Sequence, residues 1–233
     1  MDILRNVGVA ISTTERRKHL WNKLIENHKE FTLPEIPNYH FVLEVDKDLK
    51  GVAQTKNKSL RKLYDAGCDY FYLFDDDVFL KRTGFFQWVY RVHKASGINH
   101  FCYMNPNANH KVNKQIKFGN HTINQHEGLS GCFLFLTRAV LDKVGGYDKD
   151  FEGYGYGHIE YTSRINHNFG HKPNEYYSIN DMHLFLHSLD FDGNLFGSTK
   201  KGVVPKSVKD KGIKRNNPLY KQKLENLKRY CEF

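Results

Sequence analysis

No stretch of this chain approaches the roughly 18 consecutive apolar residues that a membrane-spanning helix needs, and the opening Met-Asp-Ile-Leu-Arg-Asn carries no apolar secretory core. A cytoplasmic protein is expected, with at most peripheral contact to a membrane. Cysteine is scarce: Cys68, Cys102, Cys132 and Cys231 stand far apart and form no CxxC pair. That excludes thiolate zinc patterns and a disulfide scaffold, and three of the four sit among apolar neighbours, as buried free thiols do. There are six prolines in 233 residues, no internal repeat and no low-complexity linker, so one domain is expected. Acid is in deficit, 26 Asp and Glu against 35 Lys and Arg, for a net charge of +9. The deficit is local. Residues 200–233 hold eleven Lys/Arg against Asp210, Glu225 and Glu232, which leaves the remainder at +1. A near-neutral body provides no long basic groove, so nucleic acid is not expected as a partner. The basic segment could contact anionic lipid or an acidic acceptor, or be a solvated surface.

What is present is a regular alternation. Val7 to Ser12 reads as a strand, and Glu15 to Asn27 as a helix carrying Leu20, Trp21 and Leu24, with Ser-Thr-Thr before it to cap. Tyr39 to Val45 is a second strand ending at Asp46, Lys58 to Ala66 a helix closed by Gly67, and Tyr70 to Asp75 a third strand. This βαβαβ run implies a mostly parallel sheet flanked by helices, whose strands present ligand-binding residues at their carboxyl ends. Further on, Phe85 to Ala95 is predicted helical, residues 99–128 loop and irregular strand, and Gly131 to Leu136 a strand. Thr137 to Lys143 and His158 to Asn168 read as helices, and Pro218 to Tyr230 as a short one.

Two segments carry chemistry. The apolar run Tyr70-Phe71-Tyr72-Leu73-Phe74 ends in Asp75-Asp76-Asp77. Adjacent anions repel unless water screens them or a cation sits between them. Hard carboxylate oxygens suit Mg²⁺ or Mn²⁺, which favour a diphosphate as their other ligand. The plainer alternative is an acidic surface turn capping the next helix. In the second segment, Gly153, Gly155 and Gly157 alternate with Tyr154 and Tyr156 before a helix whose first turn holds His158 and Glu160. The glycines let backbone approach a ligand, the rings offer faces for a sugar, and either His158 or Glu160 could take a proton from a hydroxyl. An ordinary glycine-rich loop before an acid-rich first helical turn is the alternative. Tyr154, Gly155 and Tyr156, with Gly131 at the start of its strand, are the candidate acceptor and sugar contacts.

These residues resemble the inverting, metal-dependent nucleotide-sugar glycosyltransferases of the GT-A fold, family 2 and the β-1,4-galactosyltransferases in particular, over most of residues 5–190. Asp75-Asp76-Asp77 resembles the DxD motif, with Asp77 and Asp75 in the metal-binding places and Asp75 and Asp76 toward the nucleotide. Phe151 to Ile165 matches F-x-G-W-G-G-E-D-x-D-L-x-x-R-L at Phe151, Gly153, Gly155 and Arg164, with Tyr154 for Trp. It departs where the family's Glu-Asp pair falls on Gly157 and His158, so the resemblance leaves the base between His158 and Glu160. Gly51 to Asn57 resembles G-x-x-x-A-R-N with Lys56 in the Arg place. The resemblance also puts Thr13, Glu15, Arg16 and Asp46 around the nucleoside, and His187, with His183 as its neighbour, in the place of a metal-binding His.

The resemblance implies an α/β GT-A domain over 1–199, with a nucleotide-binding half at 1–98 and an acceptor-binding half at 99–199, followed by a basic tail at 200–233. It implies a hexosyltransferase-like enzyme using Mn²⁺ or Mg²⁺, a nucleotide-sugar donor, UDP-linked by expectation, and a glycan or other hydroxyl acceptor, with inversion. The alternatives are a metal-dependent nuclease or nucleotidyltransferase, which leaves the glycine-tyrosine segment without a role, and a non-catalytic carbohydrate-binding relative.

Overall fold

The computed structural model describes residues 4–108, 110–192 and 205–233. Three parallel strands form the first half of its main sheet: β1 (Val7–Thr14), β2 (Tyr39–Asp46) and β3 (Tyr70–Asp75). β1 lies between the other two. The chain therefore steps to one side of β1 and then crosses to the other, and such a reversal opens a crevice at the strands' carboxyl ends. β5 (His100–Cys102) and β8 (Phe133–Thr137) complete the order β2-β1-β3-β8-β5, with β8 antiparallel to both neighbours. The sheet is mostly parallel and mixed α/β, as expected.

Both sheet faces are covered, and the strand period of two sorts the residues between them. Val7, Val9, Ile11, Tyr72 and Phe74 pack toward α1 (Trp21–Thr32) and α3 (Phe85–Ser96). Ala10, Phe71 and Leu73 pack toward α2 (Val52–Asp65), α4 (Arg138–Val144) and α5 (Gly157–Asn168). The first helix differs from expectation at its start: Glu15–Leu20 is a 3-10 segment kinked at Arg17, and α1 proper begins at Trp21. α2 begins six residues before the predicted Lys58, because Asp46 accepts the amide hydrogens of Lys50 and Gly51 and sets up the turn that starts it.

Within residues 99–128 a hairpin replaces the expected irregular stretch. β6 (Val112–Phe118) and β7 (His121–His126) pair around Gly119-Asn120, and β9 (Tyr176–Ile179) adds a third strand. A small antiparallel pair, β4 (Val78–Leu80) with β10 (Leu186–Ser188), brings the chain after β9 back to the aspartates. A short α6 (Leu189–Asp192) follows.

The C-terminal segment is no loose tail. α7 (Lys206–Lys223) is much longer than the predicted 218–230 helix and runs through Pro218. Beyond it, Cys231 bridges to Gly145, and Arg61 donates to the Phe233 carbonyl while stacking on its ring. All four cysteines are free thiols. Among the described residues no helix is long and apolar enough to cross a membrane.

Candidate functional site

The three aspartates lie where β3 leaves the sheet, and each is held differently. Asp75 pairs in register with Ser12 and meets the Lys56 ammonium at 2.7 Å, off the axis of a regular hydrogen bond. Lys56 is wholly buried, so Asp75 is its counter-ion, and a buried ammonium without one would be costly. Asp76 accepts a hydrogen bond from Thr13 Oγ1 at 2.6 Å and faces the Arg17 guanidinium at 3.4 Å. Trp21 Nε1 in turn donates to Thr13 Oγ1, fixing that hydroxyl from the start of α1. Burial pushes the Asp76 carboxyl up to about 6 against the opposing pull of Arg17 and Thr13.

Asp77 is the most strained electrostatically. Burial, with the nearby anions of Asp75 and Asp190, pushes it up to about 7, and one hydrogen bond from Ser188 Oγ at 2.8 Å pulls the other way. Its backbone carbonyl accepts from Leu189, so β10 and α6 are pinned against the aspartate turn. Arg17 also reaches Asp190, at 3.6 Å, and so links the first strand's exit to the end of the second half.

Several predicted nucleoside contacts share this edge. Thr13 and Lys56 touch the aspartates directly, and Asp46 lies opposite Thr14 in register. Glu15 and Arg16 are exposed, and it is Arg17 that turns inward. The kink at Arg17 decides between the two arginines, and hydrophobic spacing carries no signal for it. Ser188 and Asp190 were also missed, being more than a hundred residues from Asp77 with no local motif.

His187 adjoins Ser188 on β10 and pairs in register with Phe79 of β4. Ser188 reaches Asp77, and its neighbour along the strand projects to the other face. The His187 ring lies 3.9 Å from the Asp192 carboxylate and, with His183, Lys81, Pro106 and Asn107, lines a cleft of about 440 Å³. Among the described residues no group of three His, Cys, Asp or Glu side chains surrounds a common point. The chemistry of the donor set still fits a hard divalent cation, since Asp75 and Asp77 offer carboxylate oxygens beside the charge of Asp190, and a cation would relieve their mutual repulsion.

The second segment converges on the first. Gly51 and Gly153 bridge backbone to backbone, and a Cβ on Gly51 would lie 2.4 Å from the Gly153 nitrogen, so only glycine permits this contact. His158 sits on Gly131, where a Cβ would come within 2.2 Å of the imidazole. Its Nδ1 lies 3.0 Å from the Tyr147 hydroxyl. Burial, and then the charge of Lys56, lowers His158 to about 4, so the imidazole is neutral at pH 7.

Glu160 is not presented to the crevice. It is wholly buried, accepting from Arg164 Nε at 2.9 Å and from Arg229 at 2.6 Å. Arg229 and Lys223 also pair with Asp148, and Lys223 with Asp150, closing a cluster of three acids and three bases. Burial alone would raise the Asp148 carboxyl, but Lys223 and Arg229 outweigh it and hold it below the ordinary range. Both guanidiniums meet Oε1, Oε2 has no hydrogen-bond partner among the described residues, and no atom of the side chain meets solvent, so proton transfer to Glu160 would need the C-terminal segment to open.

Tyr154 and Tyr156 are claimed in part by α7. Lys209 lies over the Tyr154 ring, Tyr156 stacks on Tyr220 at 5.0 Å, and Asn216 Nδ2 donates to the carbonyls of Glu152, Tyr154 and Gly155. Tyr154 remains 39% exposed and is the ring of the pair still open to a ligand.

No family model and no curated protein matches the chain. Among solved structures it is similar to a mannosyltransferase from Pyrobaculum calidifontis in complex with GDP-Man and Mn²⁺, at 14% identity and a TM-score of 0.49, over 69% of this chain and 52% of that one. It is also similar to a Drosophila β-1,4-galactosyltransferase 7 mutant in complex with manganese, UDP-Gal and xylobiose, at 13% identity and a TM-score of 0.43, over 85% and 80% of the two chains. A197 from STIV is a third, at 14% identity and a TM-score of 0.37, over 58% and 68%. The chain spans about half the length of the mannosyltransferase. With all three TM-scores below 0.5, these are loose likenesses of chain path, and the chemistry of this site rests on its own geometry.

Proposed function

We propose that this chain is a metal-dependent glycosyltransferase that moves a sugar from a nucleotide diphosphate donor, UDP-linked, to a hydroxyl acceptor with inversion. The observation that supports it is the meeting of two segments: the aspartates at the end of β3, and the glycine-tyrosine loop joined to the same crevice through Gly51 and Gly153. In this reading Thr13, Arg17 and Asp46 line the nucleoside end, and Asp75 and Asp77 hold the divalent cation. That ion, when bound, supplies positive charge for the leaving diphosphate. Lys56, buried beside Asp75, sets the charge balance at the same end.

His158 is then the group nearest the acceptor's proton. In the tautomer whose Nδ1–H donates to the Tyr147 oxygen, Nε2 is left to accept a hydrogen bond from an incoming hydroxyl and orient it. The hydroxyl proton passes to Nε2 as the oxygen bonds the sugar carbon and the bond to the diphosphate breaks, and the low basicity of the imidazole makes that transfer late in the step. A second reading, a sugar-binding relative without catalysis, is favoured by one observation: the carboxylate in the first turn of α5 is sealed in an ion cluster.

Thermal denaturation with UDP, Mn²⁺ and both together tests donor binding, since a ligand selective for the native state raises the melting temperature by mass action. The pair should raise it far more than either alone, and Asp77→Ala should cancel the gain. An undiminished shift in that variant overturns the metal assignment. Donor hydrolysis by the wild type separates catalysis from binding alone. His158→Gln should abolish transfer while sparing the UDP shift, and retained transfer would remove the acceptor from this helix.

A further inference from the structure

β2 is the outermost strand on one side of the main sheet, and among the described residues no strand pairs with its free edge. An edge strand offers a row of N–H and C=O groups to any other strand, and folds blunt such edges with short strands, bulges, Lys or Pro. β2 uses none of these. It runs for eight residues, keeps register with β1 at every one of them, and its sequence Tyr-His-Phe-Val-Leu-Glu-Val-Asp contains neither Lys nor Pro. Its acids are engaged within the fold: Glu44 meets Lys62 at 2.7 Å, and Asp46 accepts from the amides of Lys50 and Gly51.

The strand is only half covered by its own helices. Tyr39, Phe41 and Leu43 pack against the core on one face and Val42 on the other, all partly exposed, and His40 is exposed. Outward from Val42 in either direction the chemistry repeats: apolar Phe41 and Leu43, polar His40 and Glu44, apolar Tyr39 and Val45. Two copies laid antiparallel about Val42 would set Phe41 opposite Leu43, Tyr39 opposite Val45, and the His40 imidazole opposite the Glu44 carboxylate, each pair formed twice. The two-fold axis must fall level with a residue, because opposed side chains share a face. An axis at Phe41 would set His40 against Val42, and an axis at Leu43 would set Val42 against Glu44. Of the three registers, the one about Val42 matches every pair.

We propose that β2 pairs with β2 of a second copy of this chain, antiparallel about Val42, in an isologous dimer. The two five-stranded sheets then run on as one, and the two crevices, at the carboxyl ends of oppositely directed strands, open toward opposite ends of it. This pairing is independent of whether the crevice transfers sugar.

Sedimentation velocity of the full chain over a range of concentrations tests it. The wild type should pass from monomer to dimer as concentration rises, and amide exchange at residues 39–45 should slow in step. Because His40 is exposed, its replacement probes the register without disturbing the fold, and the melting temperature of the dilute monomer should not change. His40→Glu sets a carboxylate opposite Glu44 twice and should weaken the dimer about tenfold. His40→Lys sets an ammonium there and should tighten it about threefold, although Lys otherwise discourages edge pairing. A chain that stays monomeric at every concentration overturns the proposal and leaves the edge to an extended segment of a different protein. Association that responds alike to His40→Glu and His40→Lys, or that leaves exchange at 39–45 unchanged, also overturns it and puts the contact between copies elsewhere.

Discussion

Asp77 is a carboxylate held where a carboxylate is costly. It is 6% exposed, and burial with Asp75 and Asp190 lifts it to about 7 from the ordinary 3.8. A raised acid binds its proton more tightly folded than unfolded, so it destabilises the fold above pH 7, and that penalty disappears as pH falls toward 4. Buried His28 and His100, lowered to about 4 by burial, act oppositely: their contribution is intact above pH 6.5 and is lost as pH falls toward 4. Without metal, Asp77→Asn should therefore raise the melting temperature at pH 8 by roughly 5–10 °C, for a relief of a few kcal/mol, while abolishing transfer. The variant should also lose stability more steeply than wild type between pH 6.5 and 4, because the opposing titration is gone. Calorimetric melts across that range check both, and an unchanged melt at pH 8 would mean the carboxylate is better solvated than its burial implies. This residue was legible because three acids ending an apolar strand are conspicuous. Arg17 was not, because which of two adjacent arginines turns inward depends on one kinked residue, with φ −103° and ψ 16°.

At the level of elements, β1 and β3 were readable because buried parallel strands are short apolar runs ending at polar residues, and the edge strand β2 because its apolar residues alternate. The β6–β7 hairpin was not read, since β6 is largely exposed and its Lys, Asn and Gln hide the alternation of Ile116 and Phe118. The available signal was Gly119-Asn120: a two-residue loop whose first position has positive φ, 58° here, is a hairpin turn. α7 was misread for a different reason. Proline is expected to start a helix, not to lie inside one, so Pro218 marked the wrong boundary. What holds α7 in place is tertiary: one Asn216 amide serves the carbonyls of Glu152, Tyr154 and Gly155 at 2.9–3.1 Å. Asn216→Ala should cost about 1–2 kcal/mol, because the Tyr154 and Gly155 carbonyls lose their donor while that of Glu152 keeps Arg215. It should also raise the acceptor KM while leaving the UDP shift unchanged. A urea titration and initial-rate kinetics check the two parts, and a loss of UDP binding instead would place the loop at the donor end.

For the whole molecule, composition suggested a neutral body with a basic tail, but charge counting cannot tell paired cations from free ones. Lys223 and Arg229 are spent on Asp148, Asp150 and Glu160, and the chain's end closes onto α2 and α4. The domain is therefore sealed by its last residues, and Glu160 is the point where the seal can be tested against a catalytic role. Glu160→Gln leaves Arg164, which has no exposed side-chain surface, without its counter-ion; Arg229→Gln leaves Glu160 with only one partner. Breaking a buried pair from one side costs about 3–5 kcal/mol, so each single variant should be markedly less stable. The double variant should fall short of the sum by about 1–3 kcal/mol, because the second change removes a charge already stranded by the first. Well below its melting temperature, Glu160→Gln should still transfer sugar, since no atom of Glu160 meets solvent. The opposite pattern, full stability with transfer lost in Glu160→Gln and additive changes in the cycle, would return Glu160 to the reaction and mean that the C-terminal segment opens before the acceptor binds.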